Sequence, residues 1–178
     1  MNKNLKKKLK HISIVFMDVD GVLTDGSAFF IDGRSPKRWN VKDRLAVKIL
    51  TSLKQENLKV IWISGRDSKN LQTRAKELGV TEAHSGVGNK VPLMKKICGN
   101  YNIDPRYSMY IGDDLVDLAC ISFAGVSCCP SDAVSEVKER VDYIATLPGG
   151  RGAVREIIKE ILKIKGYWDK IVNSYTEV

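Results

Sequence analysis

The sequence predicts an α/β fold, in which helices cover both faces of a doubly wound, Rossmann-like parallel sheet to give three layers. Short apolar runs rich in β-branched residues alternate along the chain with segments whose apolar residues recur at helical spacing. Three of these runs end abruptly in polar residues, as core strands do where they open into a site. The chain has 178 residues, enough for one domain with a substantial core.

The first strand is predicted over residues 12–17, and it ends at Asp18-Val19-Asp20. Two β-prone segments around a loop with glycine and proline then predict a β-hairpin over about 27–41 that projects from the sheet. Because an isolated hairpin is only marginally stable, we expect this one to pack against another subunit.

The rest of the chain continues the alternation of helix and strand, and Asp43 is the predicted N-cap of the first helix after the hairpin. No segment is long enough for a second domain over the site, so we expect no cap domain. We divide the chain into a basic N-terminal tail (1–11), the α/β domain (12–165) and a C-terminal tail (166–178). Five further strands, separated by helical segments, are predicted at 59–63, 80–85, 107–111, 124–127 and 142–145.

The chain carries a formal net charge of +8, and five of its first ten residues are lysine. We favour a solvated tail over a nucleic-acid or anionic-surface patch, because no nucleic-acid motif accompanies the lysines. No apolar run approaches the length of a membrane span or resembles an export signal, so we expect a cytoplasmic protein that binds neither membrane nor nucleic acid. The four cysteines lack metal-ligand spacing and are expected to be buried thiols.

Polar side chains follow three of the predicted core strands. Asp18 and Asp20 follow the first, Ser64 and Arg66 the second, and Asp113 a later one. In a parallel sheet these ends meet at one edge, so residues far apart in sequence can form one pocket. Carboxylates without sulphur or imidazole neighbours suit a hard divalent ion, Mg²⁺ first.

The same edge offers positive charge for an anion, because Lys90 begins a helix beside it. A site that holds both Mg²⁺ and an anion handles phosphate most naturally. No P-loop sequence is present, so this is not a P-loop nucleotide site. A carboxylate can instead act as the nucleophile and form an aspartyl-phosphate that water hydrolyses. A second carboxyl would then protonate the leaving oxygen and later deprotonate the water.

On four motifs in order, and a fifth that is more specific to one subfamily, the chain resembles the haloacid dehalogenase-type phosphatases, in the subclass without a cap domain. The resemblance implies that Asp18 is the nucleophile and a Mg²⁺ ligand. It also implies that Asp20 is the general acid/base, that its backbone carbonyl binds the metal, and that Asp113 is the third protein ligand. The motifs are Asp18-Val19-Asp20-Gly21-Val22-Leu23-Thr24-Asp25-Gly26, Ser64-Gly65-Arg66, Lys90, Gly112-Asp113-Asp114-Leu115-Val116-Asp117, and Gly149-Gly150-Arg151-Gly152-Ala153-Val154-Arg155-Glu156.

Further roles come with the same resemblance. Asp117 or Asp114 supports Asp113 from behind, while Ser64 and Lys90 hold the transferring phosphoryl group. Lys90 also offsets the negative charge of the nucleophile. Members of this family form homotetramers in which the hairpins pack together and a neighbour's C-terminal region covers the pocket, so we expect the same here.

The resemblance implies a phosphorylated eight-carbon 3-deoxy sugar acid as substrate, in the biosynthesis of lipopolysaccharide sugars. Arg44 and Lys48 stand where the family usually has glycine and arginine, so a nine-carbon sialic-type acid phosphate stays open as the substrate. A non-catalytic module that binds an anionic metabolite is the alternative from another class. The predicted substrate-binding residues are Asp20, Asn40, Val41, Lys42, Asp43, Arg44, Lys48, Arg66, Arg74, Lys90 and Arg151.

Overall fold

Six parallel strands form one sheet with helices on both faces, which confirms the predicted fold class. The computed structural model describes residues 1–28, 30, 36–53 and 56–176, with the backbone alone at residue 69. The strands are β1 (Ile14–Met17), β2 (Lys59–Ile63), β3 (Glu82–His84), β4 (Ser108–Ile111), β5 (Val126–Cys129) and β6 (Tyr143–Ile144). The helices are α1 (Lys3–Lys10), α2 (Val41–Ser52), α3 (Lys69–Leu78), α4 (Lys90–Asn100), α5 (Leu118–Phe123), α6 (Ser135–Lys138), α7 (Ala153–Ile164) and α8 (Trp168–Ser174).

The order of the strands places a switch point at the centre of the sheet. The order is β3-β2-β1-β4-β5-β6, and every neighbouring pair is parallel. The chain leaves β1 in one direction and returns on its other side at β4, with Met17 opposite Ile111 in the register. The carboxyl ends of these two strands form the crevice in which open α/β sheets bind ligands.

Each face of the sheet has its own apolar cluster. Ile14 and Phe16 of β1 pack with residues of α4, α5 and α6, whereas Val15 and Met17 pack with α1, α2, α3 and α7. All four side chains are fully buried, because alternate residues of a strand face opposite sides. Burial on both faces explains why the central strands are continuous apolar runs in the sequence.

The N-terminal segment is a helix and not the solvated tail that the sequence predicts. Asn2 caps α1, with its Oδ1 accepting a hydrogen bond from the backbone N–H of Leu5 at 2.8 Å. Leu5 and Leu9 are buried against the domain, where α1 contacts α7. The two leucines stand four residues apart and therefore share one face of the helix, while the lysines stay exposed on the other faces.

The C-terminal segment is also more ordered than a tail. It contains α8, and Trp168 at its start packs against the core. The guanidinium carbon of Arg155 lies 4.9 Å from the centre of the Trp168 ring, a cation–π distance. Residues 168–174 are therefore part of the folded domain.

The predicted hairpin over about 27–41 lies partly outside the described residues. Its described portions before α2, residues 27–28, 30 and 36–40, have no strand. Residue 41 already belongs to α2, whose N-cap is Asn40 and not Asp43. The Asn40 side chain accepts from the backbone N–H groups of Lys42 and Asp43 at 2.8 and 3.3 Å. The helix therefore begins earlier than the sequence predicts.

The four cysteines are free, buried thiols. Within the described ranges, every helix is too short or too polar to cross a membrane.

Candidate active site

Three carboxylates meet at the carboxyl ends of β1 and β4. Asp18 directly follows β1, Asp113 follows β4, and Asp117 lies in the 3₁₀ turn after it. One carboxylate oxygen from each lies within 4.8 Å of the others. The backbone N–H of Asp18 donates to the carbonyl of Ile111 at 2.9 Å, which fixes one strand end against the other. The structure thus brings together acids that are almost one hundred positions apart in the sequence.

Burial and mutual repulsion raise the pKa of two of these acids. Burial raises the pKa of Asp113 to about 8, with further contributions from Asp18, Asp117 and Asp114. Burial and the negative charge of Asp117 raise the pKa of Asp18 to about 6. Oδ1 of Asp113 is buried without a hydrogen-bond partner among the described residues. A divalent cation would supply that missing partner and the missing charge, so the donor set fits Mg²⁺.

Lys90 places a positive charge directly beside Asp18. It is the first residue of α4 and is 4% exposed. Its Nζ donates to Oδ1 of Asp18 and to Oδ1 of Asp117, both at 2.7 Å, and lies 3.2 Å from the hydroxyl of Tyr110. Burial lowers the pKa of the Lys90 ammonium, but Asp18 and Asp117 outweigh burial and the net pKa is raised. Lys90 is therefore charged at neutral pH.

Asp117 supports its neighbours from behind. It is fully buried; its Oδ1 also accepts from the hydroxyl of Tyr110 at 2.6 Å, and its Oδ2 accepts from the backbone N–H of Asp113 at 3.0 Å. Asp114 is exposed and caps the 3₁₀ turn through the N–H of Leu115. Of the two supporting acids that the sequence leaves open, the geometry favours Asp117.

Two glycines, Gly21 and Gly149, allow two loops of the site to touch through their backbones. Gly21 has a φ of +89°, and a Cβ there would lie 2.0 Å from Oδ2 of Asp113. Gly149 packs against it so closely that a Cβ would lie 1.7 Å from the carbonyl oxygen of Gly21. The loop before α7 and the loop after β1 therefore pack backbone to backbone, which only residues without a side chain permit.

Asp20 lies beside a cleft, where Lys37 and Ser64 contact its two carboxylate oxygens. The hydroxyl of Ser64, fully buried after β2, lies 3.1 Å from Oδ2 of Asp20 and 3.0 Å from the carbonyl of Arg66. Nζ of Lys37 donates to Oδ1 of Asp20. The cleft is lined by Asp20, Thr24, Ser27, Pro36, Lys37, Arg66 and Asp67.

Two predicted substrate contacts have their polar atoms engaged within the fold. Asn40 is the cap of α2 described above. Asp43 is 1% exposed, and its carboxylate accepts from the backbone N–H groups of Gly152 and Arg155 at 3.0 and 2.7 Å. Asp43 thus caps α7 instead of its own helix, and we treat it as a structural residue. Val41 and Lys42 are exposed at the start of α2.

Three predicted substrate-binding cations converge on Glu77, which is not one of the acids at the strand ends. Arg44 and Arg74 each donate to the Glu77 carboxylate at 2.6 Å, and Lys48 lies 3.3 Å from its backbone carbonyl. Arg66 lines the cleft beside Asp20. Arg151 is exposed, with its Nη2 3.5 Å from Oδ2 of Asp25.

Two residues of the site escape sequence reasoning. Tyr110 belongs to an apolar core strand, and nothing in that pattern indicates that its hydroxyl contacts Asp117 and Lys90. Lys37 stands in the segment predicted as a hairpin, where a lysine is normally a solvated edge residue. A lysine whose side chain is 9% exposed and pairs with Asp20 was therefore not expected.

Comparisons with known proteins agree with this geometry. The profile of the haloacid dehalogenase-like hydrolases matches residues 82–157. The chain is 34% identical to the 3-deoxy-D-manno-octulosonate 8-phosphate phosphatase of Escherichia coli K12 over 92% of this chain and 86% of that protein. It is 33% identical to the phosphatase of the same name from a second E. coli strain, B / BL21-DE3, over 96% and 89%.

Solved structures give the same picture. The crystal structure of the 3-deoxy-D-manno-octulosonate 8-phosphate phosphatase from Moraxella catarrhalis, in complex with magnesium, phosphate and a KDO molecule, superposes with a TM-score of 0.92 at 33% identity. That match covers 98% of this chain and 99% of the other. The cobalt-bound phosphatase from Haemophilus influenzae gives a TM-score of 0.84 at 35% identity, over 90% and 93%.

Proposed function

The chain belongs to the haloacid dehalogenase-like hydrolases, and we propose that within this family it hydrolyses 3-deoxy-D-manno-octulosonate 8-phosphate to the free sugar acid and phosphate. It is a phosphoric monoester hydrolase, and its place is in lipopolysaccharide sugar biosynthesis. The observation that carries the proposal is the meeting of Asp18, Lys90 and Asp113 in a chain similar over nearly its full length to phosphatases of that substrate. This similarity favours the eight-carbon substrate over a nine-carbon one.

The metal site would use oxygen ligands from both strand ends. Asp18, Asp113 and the backbone carbonyl of Asp20 would hold Mg²⁺, with Asp117 keeping the Asp113 loop in place. When bound, Mg²⁺ supplies positive charge that lets the carboxylates ionise together and that stabilises the phosphoryl oxygens.

The carboxylates then divide the chemistry between them. Asp18 attacks phosphorus as the nucleophile, while Lys90 neutralises part of the charge beside it. Asp20 protonates the leaving alcohol oxygen and afterwards takes a proton from the water that attacks the aspartyl-phosphate. Ser64 lies beside Asp20, and its hydroxyl would bind a phosphoryl oxygen when substrate is present.

The rest of the substrate lies outside this centre. Arg66 and Arg151 are exposed cations near the loops of the site, suited to the sugar-acid carboxylate. The net charge of +8 favours the approach of an anionic substrate. The same substrate is a cytoplasmic metabolite in this proposal, and four free thiols agree with a reducing compartment.

We also propose a homotetramer in which a neighbour covers the open side of the site. Val41, Leu115 and Val116 are 73%, 55% and 68% exposed, and the last two directly follow Asp113 and Asp114. Such exposed apolar side chains beside a polar site support an interface there. Light scattering should give four copies per particle, and a monomer with full activity would contradict the cover.

The experiment that tests the function is a comparison of kcat/KM for the eight-carbon 8-phosphate and a nine-carbon sialic-type acid 9-phosphate, with Mg²⁺ and with EDTA. We expect the eight-carbon compound to be preferred by at least about tenfold, which corresponds to 1.4 kcal/mol, and EDTA to abolish turnover. Preference for the nine-carbon compound would transfer the proposal to that substrate. Activity that persists in EDTA would contradict the metal-dependent mechanism.

The Asp18→Asn variant tests the nucleophile. The amide cannot form the aspartyl-phosphate, so kcat should fall by at least about 10³-fold while the circular dichroism spectrum stays unchanged. A folded variant with activity near wild type would remove Asp18 from this role.

A further inference from the structure

Asp20 has an ion-pair partner whose charge is almost enclosed by protein. The Lys37 side chain is 9% exposed and that of Asp20 is 24% exposed. Lys37 donates to Oδ1 of Asp20, and Ser64 lies within hydrogen-bonding distance of Oδ2. The two side chains come from different parts of the chain, Lys37 from the segment before α2 and Ser64 from the end of β2.

We propose that Lys37 is a positioning residue that aims the carboxyl group of Asp20 at the leaving oxygen of the substrate. This inference rests on the proposed function, in which Asp20 is the general acid/base. An aspartate side chain turns about two bonds, and the ion pair between the enclosed Lys37 ammonium and Oδ1 restricts both rotations. Each carboxyl oxygen has two lone-pair directions, so the pairing with Lys37 leaves room for the proton that Asp20 transfers.

The contribution of this positioning depends on the leaving group. In the first step the Asp18–phosphorus bond forms, the phosphorus–oxygen bond of the substrate breaks, and the proton of Asp20 passes to the oxygen that leaves. An alkoxide leaves poorly without that proton, whereas p-nitrophenolate is stable enough to leave without it. A correctly aimed acid therefore matters for an alkyl phosphate and hardly matters for p-nitrophenyl phosphate.

The test is the Lys37→Met variant, measured with both substrates by kcat/KM, which reports the steps up to the first irreversible one. We expect kcat/KM for the sugar-acid phosphate to fall about 10- to 100-fold, part of the effect of a general acid, and that for p-nitrophenyl phosphate to change less than about threefold. Lys37→Arg, which keeps a cationic donor, should recover part of the loss. Equal losses with both substrates, or no loss with either, would overturn the proposal.

The chain provides a matched control in a second enclosed ion pair. The Lys165 side chain is 7% exposed and pairs with Glu56, on the far side of the domain among α1, α7 and the turn before β2. Lys165→Met removes a comparable buried ammonium without touching the site. It should shift thermal stability and leave the ratio of the two kcat/KM values within about twofold of wild type. A change of that ratio as large as in Lys37→Met would overturn the assignment to Lys37.

A double-mutant cycle separates action through Asp20 from direct contact with substrate. In an Asp20→Asn background, Lys37→Met should change kcat/KM for the sugar-acid phosphate less than about threefold. A full additional loss there would show that Lys37 acts on the substrate itself and would overturn the positioning role. If wild type does not hydrolyse the eight-carbon compound, the proposed substrate fails. The alkyl-against-aryl comparison then uses an alkyl phosphate that wild type does hydrolyse, and hydrolysis of none would overturn both.

Discussion

Asp117 is a single buried residue whose carboxylate joins Lys90, Tyr110 and the backbone of Asp113. Asp117→Asn keeps the shape but loses the charge and one acceptor oxygen. We expect the free energy of unfolding to fall by about 1–3 kcal/mol. Activity should fall by about 10- to 100-fold, the usual effect of disturbing a partner behind a metal ligand. Urea unfolding and Mg²⁺ titration of activity measure the two effects.

Asp114 gives the control for this residue. It lies three positions earlier, is exposed, and caps only the 3₁₀ turn. Asp114→Asn should change stability by no more than about 0.5 kcal/mol and activity by a few-fold at most. Equal effects of the two substitutions would contradict the supporting role of Asp117.

Among single residues, the strand ends were predictable and their partners were not. Asp18, Ser64 and Asp113 lie where the sequence predicts, because an apolar run that ends in a polar residue marks the edge of a parallel sheet. Lys37 and Tyr110 act through atoms whose position depends on distant segments. Their residue types carry no local signal of such contacts.

At the scale of elements, Glu156 in the first turn of α7 attaches this helix to the edge strand β6 and to the residues that follow it. The carboxylate of Glu156 accepts from the backbone N–H of Thr146 at 2.9 Å and from the hydroxyl of Tyr143 at 2.7 Å. Burial raises the pKa of Glu156, but the Thr146 backbone donor, together with side-chain donors, outweighs burial and the net pKa lies below its usual range. An acid with a lowered pKa stabilises the fold in its ionised form.

The Glu156→Gln variant tests this attachment through its pH dependence. The stabilisation is fully present above the unfolded pKa near 4.5 and is lost as pH falls through the lower folded pKa. We therefore expect the variant to be less stable than wild type by about 1–2 kcal/mol at pH 7 and the difference to shrink below pH 4. A difference that is constant from pH 7 to pH 3 in urea unfolding would contradict the ionic contribution.

The caps of α2 and α7 show why the N-cap of α2 was predicted at the wrong residue. Asp43 stands where an N-cap of α2 is plausible, but its carboxylate caps α7, more than one hundred residues later. Asn40, three residues earlier, caps α2 instead. Local sequence ranks both as caps, and only the packing of α2 against α7 decides between them.

At the scale of the whole molecule, the acidic cluster links stability to metal. Mg²⁺ that binds only the folded protein should raise the free energy of unfolding by about 2.7 kcal/mol at a 100-fold excess over Kd. This corresponds to a rise of roughly 5–10 °C in Tm. Thermal unfolding with EDTA and with Mg²⁺ measures the shift.

The Asp113→Asn variant tests the same link between stability and metal from the other direction. Without metal it should be more stable than wild type by an amount that grows above about pH 4 and levels off above pH 8, because the pKa of the Asp113 carboxyl is raised from 3.8 to about 8 by folding. Added Mg²⁺ should stabilise this variant much less than it stabilises wild type. A variant that keeps the full Mg²⁺ shift would exclude Asp113 as a ligand.

The sheet as a whole was predictable because its strands are buried on both faces and its connections are helical. The two ends of the chain were not. Lysines dominate the composition of α1, and only the spacing of Leu5 and Leu9 shows a buried face. In α8, Trp168 packs beside Arg155 of the preceding helix, a contact that the local sequence does not indicate. Segments that fold only against a finished domain carry a weak signal of their own.

The contact between Gly21 and Gly149 also has a consequence for the order of synthesis. The loop that carries the nucleophile leaves the ribosome early, but the backbone against which it rests is made near the end. We expect a nascent chain to hold its reactive aspartate in an unfinished setting until the glycine-rich turn and α7 emerge. Chains still attached to the ribosome would then be inactive, even if their first strands had already folded.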